Sequence, residues 1–151
     1  MYRNILVPID GSDTAKRGLR EAMILAKGNG TTLRLVHVVN TAVIALEYAE
    51  TCAAPDDWSE RRRIVGEAAL KEAENIVKQN GLHSESVMLG TAIDNTAELI
   101  VKQAVDWPAD VIVMGTHGRR GLSRLVLGSN AEYVLSHAAV PVLLVRMQST
   151  S

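Results

Sequence analysis

Aromatic residues are scarce in this chain of 151 residues: phenylalanine is absent, and aromatic side chains make up 3% of the total. Proteins that hold single-stranded nucleic acid usually stack the bases on aromatic side chains, so such a platform is not expected. The formal net charge of −1 also lacks the basic excess of a typical nucleic-acid-binding protein. We therefore expect no nucleic acid partner and a core built from valine, isoleucine, leucine, alanine and methionine.

Cysteine is nearly absent as well. Cys52 is the single one, which excludes an internal disulfide and a cysteine metal cluster and is typical of a reducing compartment. The residues after Met1 contain no apolar run long enough for a secretion signal. We expect a cytoplasmic protein that does not span a membrane, folded as a single domain over residues 1–151.

Several catalytic motifs are also missing. The sequence contains no HExxH, no GxSxG, no CxxC and no paired carboxylates beside its glycine-rich stretch. Without an evident general base, fast turnover is not expected. The residues therefore favour a binding protein over an enzyme.

What the sequence does contain is a regular alternation of strand and helix patterns. Apolar runs at residues 5–9, 33–39, 111–114 and 140–145 predict strands, and a more polar run at 83–89 predicts an edge strand. Amphipathic segments at 13–30, 56–79, 95–107 and from 128 onward predict helices between them. A β-α-β-α-β-α-β-α-β order predicts a parallel sheet with helices on both faces.

Helical periodicity also predicts which side chains face the core. The expected inward residues are Val65, Ala69, Ala73, Ile76 and Val77 in the second helix, Ala97, Ile100, Val101, Ala104 and Val105 in the third, and Ala131, Val134, Leu135 and Ala138 in the fourth. Capping boxes are predicted at residues 95–98 and 129–132. Residues 61–63, all arginine, are interpreted as a solvated face with local charge pairing, and residues 40–55 as a loop.

The stretch from residue 111 to 134 has the features of a phosphate site. A buried strand is followed by Gly115, Gly118 and Gly121 in a loop that carries three arginines, and Gly128 then precedes a helix. Glycine lets the backbone approach a ligand closely, and the first N–H groups of a helix favour an anion. We expect unpaired amide hydrogens at Gly115, Gly118 and Gly128 to converge on a single triphosphate.

The local sequence leaves two roles open at this site. Ser129 could cap its helix or turn its hydroxyl to a phosphate, and the two interpretations are balanced. Asp10, at the end of the first strand, could accept a hydrogen bond from a ribose, although the local sequence favours a helix cap together with Ser12 and Asp13. If the first and fourth strands are neighbours, the turns at Asp10 and Gly115 meet in one crevice. His117 is the histidine expected near the phosphates, whereas His37 is interpreted as a core residue.

These residues resemble the universal stress protein family in its single-domain, ATP-binding form. The resemblance is carried by ILVPIDGS at residues 5–12, by LVHV at 35–38, by MGTHG at 114–118 leading to GS at 128–129, and by PVLLV at 141–145. Its most specific part is the spacing GxxGx(9)G[ST], which marks the nucleotide-binding branch. The resemblance implies an adenine nucleotide alpha hydrolase-like α/β fold with strand order 3-2-1-4-5.

The same resemblance implies a binding site for ATP, with Mg²⁺ or Mn²⁺ held through the phosphates. The nucleoside would lie against Pro8, Ile9, Asp10, Val38, Met114 and Gly115, and the phosphates against Gly118, Arg119, Gly128, Ser129 and Asn130. Many members have valine where this chain has Asn130, so the resemblance supports a backbone contact there rather than a side-chain contact.

The resemblance further implies a nucleotide-dependent, stress-associated homodimer that an unknown regulatory protein reads. A physical argument also favours dimerisation through residues 140–146: the last strand would be an uncharged sheet edge, which a twofold copy would cover. The alternative is an enzyme, a slow ATPase or a self-phosphorylating protein that uses Ser129 or His117.

Overall fold

Five parallel strands form one sheet in the order β3-β2-β1-β4-β5, which confirms the predicted order. The strands are β1 (Asn4–Pro8), β2 (Thr32–Asn40), β3 (His83–Thr91), β4 (Val111–Gly115) and β5 (Val142–Val145). The structure, a computed structural model, describes residues 1–42, 58–117 and 127–147. Most of the predicted loop at 40–55, with Cys52, lies outside the described residues, as do Gly118, Arg119, Arg120, Gly121 and Arg124.

Four helices in the described residues cover the two faces of the sheet: α1 (Asp13–Ala26), α2 (Trp58–Gln79), α3 (Thr96–Asp106) and α4 (Ser129–His137). α1 and α2 pack on one face, and α3 and α4 on the other. Successive side chains of a strand point to opposite faces, so Val111 and Val113 enter the first core, and Ile112 and Met114 the second. Burial on both faces explains the continuous apolar runs of β1 and β4.

The end of α1 agrees with the prediction, whereas the predicted cap of α3 does not. α1 ends at Ala26, just before the predicted stop at Gly28 and Gly30, which adopt positive φ values of 76° and 63° and turn the chain toward β2. The capping box at α3 does not form. Asn95 precedes that helix, but its side-chain oxygen accepts a hydrogen bond of 2.5 Å from the Thr91 hydroxyl instead.

Three side chains predicted to face the core are exposed: Val65 at 47%, Val105 at 62% and Leu135 at 50%. Each is next in sequence to a buried helical position, at Gly66, Ala104 and Val134 respectively. One residue along a helix corresponds to a rotation of about 100°, so these three side chains lie beside the buried stripe and not within it.

The two sheet edges differ in polarity, as expected. β3 is an edge strand with several polar residues, which confirms the sequence interpretation. β5 forms the other edge but begins at Val142 rather than Val140. Pro141 has no N–H to give to a ladder, and only its carbonyl takes part, accepting from Ile112 N at 3.0 Å. Within the described ranges, the helices are too short or too polar to cross a bilayer.

Candidate functional site

The carboxyl ends of β1 and β4 lie side by side at the centre of the sheet. β1 pairs with β2 on one side and with β4 on the other, so the chain leaves these strands toward opposite faces. A crevice opens at such a reversal of strand order, and α/β proteins bind ligands there. The predicted site residues Pro8, Met114 and Gly115 end the two strands.

One hydrogen bond, from Thr14 to His117, joins the segment after β1 to the turn after β4, and others order the turn that contains Asp10. The Asp10 carboxylate accepts from the backbone N and the hydroxyl of Ser12, at 2.8 and 2.5 Å. The Ser12 hydroxyl lies 3.2 Å from the Thr14 hydroxyl, which in turn donates to the carbonyl oxygen of His117. The predicted meeting of the two turns is therefore confirmed.

Asp10 supports the start of α1 but is not its N-cap residue. Ser12 is the residue that caps α1, because its hydroxyl accepts from Ala15 N at 3.2 Å. Asp10 does not cap the helix itself; it holds Ser12 through a turn of the Asx type. The carboxylate is half-buried at the mouth of the crevice, so a polar ligand group can still approach it.

Gly115 is required by the packing of α1 on β4. A Cβ atom at this position would lie 2.8 Å from the backbone C and from the Cβ of Thr14, and a Cβ at Gly18 would lie 3.4 Å from Gly115 N. The amino-terminal half of α1 therefore rests directly on the end of β4. This contact determines the point at the end of β4 where the chain turns out of the sheet.

The loop after β4 starts and ends at the same point. Thr116 N donates to the Val145 carbonyl at 3.0 Å, and Gly128 N donates to the Thr116 carbonyl at 2.8 Å. The structure thus brings Gly128 next to the end of β4, as predicted, whereas Gly118 and Arg119 lie outside the described residues. The predicted availability of the Gly128 amide for phosphate is wrong, because that N–H closes the loop.

The start of α4 presents other amides. Gly128 is the N-cap residue and makes no side-chain cap, and the first helical hydrogen bond runs from Glu132 N to the Gly128 carbonyl at 3.0 Å. The N–H groups of Ser129, Asn130 and Ala131 precede that bond and have no intrahelical acceptor. The predicted capping box at 129–132 does not form, because Ser129 is already the first helical residue. Ser129 and Asn130 are both exposed, so this end of the helix can meet an anion.

The residues predicted to hold the nucleoside lie in different environments. Val38 and Met114 belong to the same apolar cluster, on the α3 and α4 face of the sheet. Ile9 is 6% exposed, and both of its backbone groups are engaged, with Val36 O at 2.8 Å and His37 Nδ1 at 2.6 Å. Because a carbonyl can only accept, His37 Nδ1 carries the proton. His37 is a buried core residue, as predicted.

Sequence reasoning missed two buried hydroxyl residues at this site, Thr14 and Thr116, which are 7% and 2% exposed. Thr116 Oγ1 lies 3.0 Å from His117 Nδ1. The Thr116 backbone makes a hydrogen bond at each end of the loop, donating to the Val145 carbonyl and accepting from Gly128 N. A threonine at the start of a helix or after a strand is ordinarily solvated. Nothing in the local pattern therefore distinguishes these two from surface residues.

A separate cavity of about 790 Å³ lies between α2 and the carboxyl ends of β2 and β3, and none of the predicted site residues lines it. Its floor includes Val39, Leu70 and Met88. On its rim, Arg63 pairs with Glu60 and Glu67, each at 2.7 Å, and these contacts raise the pKa of Arg63. Local charge pairing at this arginine was predicted.

In the described ranges, no group of three or more histidine, cysteine, aspartate or glutamate side chains is arranged to hold a metal ion.

The sequence and the fold both match known proteins. Residues 1–146 match the universal stress protein family. Universal stress protein MJ0531 of Methanocaldococcus jannaschii is 34% identical over 149 residues, covering 97% of this chain and 83% of that protein. The solved structure of MJ0577 from the same organism superposes with a TM-score of 0.85 at 26% identity over 99% of each chain. A universal stress protein from Archaeoglobus fulgidus, solved in complex with dAMP, gives a TM-score of 0.69 at 26% identity over 95% of this chain and 98% of that one. This chain therefore belongs to the universal stress protein family.

Proposed function

We propose that this protein binds ATP in the crevice between the ends of β1 and β4 and acts as a nucleotide-dependent regulator. The observation that carries the proposal is the start of α4, where Ser129 and Asn130 are exposed and no side chain caps the helix. Its N-cap residue Gly128 is bonded to Thr116, next to the His117 carbonyl that Thr14 binds. The dAMP complex of the Archaeoglobus fulgidus relative supports an adenine nucleotide as the ligand class.

Each part of the nucleotide has a matching part of the crevice in this proposal. Adenine lies toward Pro8, Ile9 and Val38 and the ribose toward Asp10, with Met114 and Gly115 beside the nucleoside. The phosphates lie at the first turn of α4, at Ser129 and Asn130, where the N-cap Gly128 has no side chain to block them. Gly118 and Arg119 complete the proposed phosphate site. Mg²⁺ or Mn²⁺ would be held by the phosphate oxygens.

The binding energy that this requires is attainable. A micromolar dissociation constant corresponds to about 8 kcal/mol. Hydrogen bonds to a charged phosphate contribute roughly 1.5 to 3 kcal/mol each, so two or three at the start of α4 supply a large share. Burial of the adenine ring against apolar side chains would supply the rest, at about 25 cal/mol per Å² of apolar surface.

The proposal includes a homodimer formed through the strand at residues 140–146. In the described residues, β5 pairs on one side only, with β4, and Leu143 on it is 40% exposed. The Thr116 N–H that begins the loop donates to Val145 in this strand. In this proposal, nucleotide binding alters the dimer edge through the hydrogen bond between Thr116 and Val145. An unidentified regulatory protein would recognise the altered surface. The proposed location is the cytoplasm, from the single cysteine in the sequence.

Calorimetric titration of nucleotide-free protein with Mg·ATP tests the proposal. We expect Ser129→Ala to weaken binding by roughly tenfold, the effect of one hydrogen bond to a charged group. Ser136→Ala is the matched control, because this serine lies on the same helix and its hydroxyl is bonded to the Glu132 carbonyl at 2.9 Å. No heat at millimolar Mg·ATP would reject the proposal. Chromatography of the nucleotide after many hours separates binding, which leaves ATP intact, from the alternative of slow hydrolysis.

A further inference from the structure

The hydroxyl of Thr14 occupies an unusual position for a side chain in the first turn of a helix. A threonine there ordinarily faces solvent or caps its own helix, but Ser12 already caps α1. Thr14 is instead 7% exposed, and its hydroxyl leaves the helix to donate to the carbonyl oxygen of His117. It is a direct side-chain link from α1 to the turn after β4.

The packing around Thr14 keeps this link in place. Gly115 has no room for a Cβ atom, because such an atom would lie 2.8 Å from the backbone C and from the Cβ of Thr14. One helical turn further on, a Cβ at Gly18 would lie 3.4 Å from Gly115 N, so α1 also packs closely on the end of β4 there. The Ser12 hydroxyl lies 3.2 Å from Thr14 Oγ1 as a packing contact, because it donates its own proton to the Asp10 carboxylate.

The residues that Thr14 holds also determine where α4 begins. The Thr116 carbonyl accepts from Gly128 N at 2.8 Å, and a Cβ at Gly128 would lie 3.0 Å from the Thr116 oxygen and 3.5 Å from His117 Cα. The first turn of α4 therefore rests on the segment of Thr116 and His117. A displacement of that segment would displace Ser129 and Asn130 relative to Asp10.

We propose that Thr14 is a positioning residue for the phosphate end of the nucleotide. It acts through the His117 carbonyl and does not contact the ligand. This inference rests on the proposed function, because it assigns a role within the same site. The packing of Thr14 against Gly115, beside the proposed nucleoside site, does not involve the hydroxyl, which binds the turn that supports the start of α4. The hydroxyl should therefore matter for ATP and not for adenosine.

The test compares Thr14→Val, which keeps the branched shape and removes the hydroxyl, with Thr14→Ser, which keeps the hydroxyl. We expect T14V to weaken Mg·ATP binding by roughly tenfold, because the half-buried turn at His117 loses the Thr14 hydroxyl that holds it in the position suited to the phosphates. Adenosine binding should change by less than about twofold, and T14S should restore most of the ATP affinity. Thr14→Ala is the second hydroxyl-free variant in case valine disturbs folding, since alanine is the best helix former.

The outcomes separate the inference from the proposal beneath it. Unchanged ATP affinity in T14V and T14A would overturn the inference and leave ATP binding standing. Equal losses for ATP and adenosine, or a T14S variant as weak as T14V, would also overturn it, because they indicate a general structural effect. Failure of the unsubstituted protein to bind Mg·ATP would overturn the proposed function and this inference together.

Discussion

At the residue scale, the packing of α2 against the sheet depends on the missing Cβ atom of Gly66. A Cβ at Gly66 would lie 2.4 Å from Cδ2 and 2.6 Å from Nε2 of His37. The imidazole cannot easily move away, because its Nδ1 is bonded to the Ile9 carbonyl at 2.6 Å and the ring is buried. Gly66 is therefore a close-contact position, which explains why a glycine lies in the middle of this helix.

We expect Gly66→Ala to destabilise the protein, although alanine favours helix formation by about 1 kcal/mol. Forcing an extra methyl group into a packed contact costs roughly 1 to 3 kcal/mol, so the net loss should be about 1 kcal/mol. Urea unfolding followed by circular dichroism measures it. In a His37→Ala background the obstacle is gone, and the same substitution should become neutral or stabilising. Additive effects of the two substitutions would contradict the proposed contact.

At the scale of elements, the two edges of the sheet are protected differently. The Arg34 guanidinium on β2 binds Glu85 of β3 at 2.6 Å and Gln103 of α3 at 3.1 Å, and stacks on Trp107 with 4.7 Å to the ring centre. The hydrogen bond from Arg34 lowers the pKa of Glu85. These contacts tie β3 to its neighbours and place charge at that edge, whereas β5 reads Val-Leu-Leu-Val with no charge.

The unprotected edge gives a prediction about assembly. We expect Leu143→Lys to convert the proposed dimer to a monomer, because a lysine on each copy would bring like charges together across a twofold axis. Ile24→Lys, at a position on α1 that is 60% exposed, is the control and should leave the dimer intact. Light scattering after size exclusion, over a range of concentrations, reports the mass. A monomeric parent protein, or a dimeric L143K, would contradict the assignment of β5 as the interface.

At the scale of the whole molecule, Asp110 joins the beginning of β1 to the beginning of β4. Its carboxylate accepts from Asn4 N at 2.9 Å and from Arg3 N at 2.8 Å. These two backbone hydrogen bonds, that of Asn4 foremost, lower the pKa of Asp110 below its ordinary value. A lowered pKa in the folded state means that the stabilisation is complete above the unfolded value, about 3.9, and is lost as the pH falls through the folded value.

We therefore expect Asp110→Asn to lower the urea midpoint at pH 7, and we expect this difference to shrink as the pH falls through the lowered pKa of Asp110, because the native carboxylate then becomes protonated. The midpoint measured at intervals from pH 7 downward tests this. Asp106→Asn is the control, because its exposed ion pair with Lys102 should contribute little at any pH. A difference between D110N and the parent that persists at acid pH would show that charge is not the cause.

Local sequence patterns determined much of the fold because they are physically local. Strands buried on both faces need continuous apolar residues, and surface helices need an apolar stripe, so β1, β4 and the alternation of elements could be predicted. The meeting of the turns at Asp10 and Gly115 followed once β1 and β4 were neighbours. The resemblance to the universal stress protein family provided the strand order and the site residues.

Only the tertiary structure decided which hydrogen-bonding groups pair with each other. Asn95 is a residue type that often caps helices, yet its side chain accepts a hydrogen bond from Thr91 instead. The Gly128 amide donates to the Thr116 carbonyl and is therefore not available to a ligand. The role of Thr14 could not be predicted from the local sequence, because its partner, His117, is close in space and distant along the chain. Residue types fix what each group is able to donate or accept, whereas the packing of α1 on the end of β4 fixes which partner it reaches.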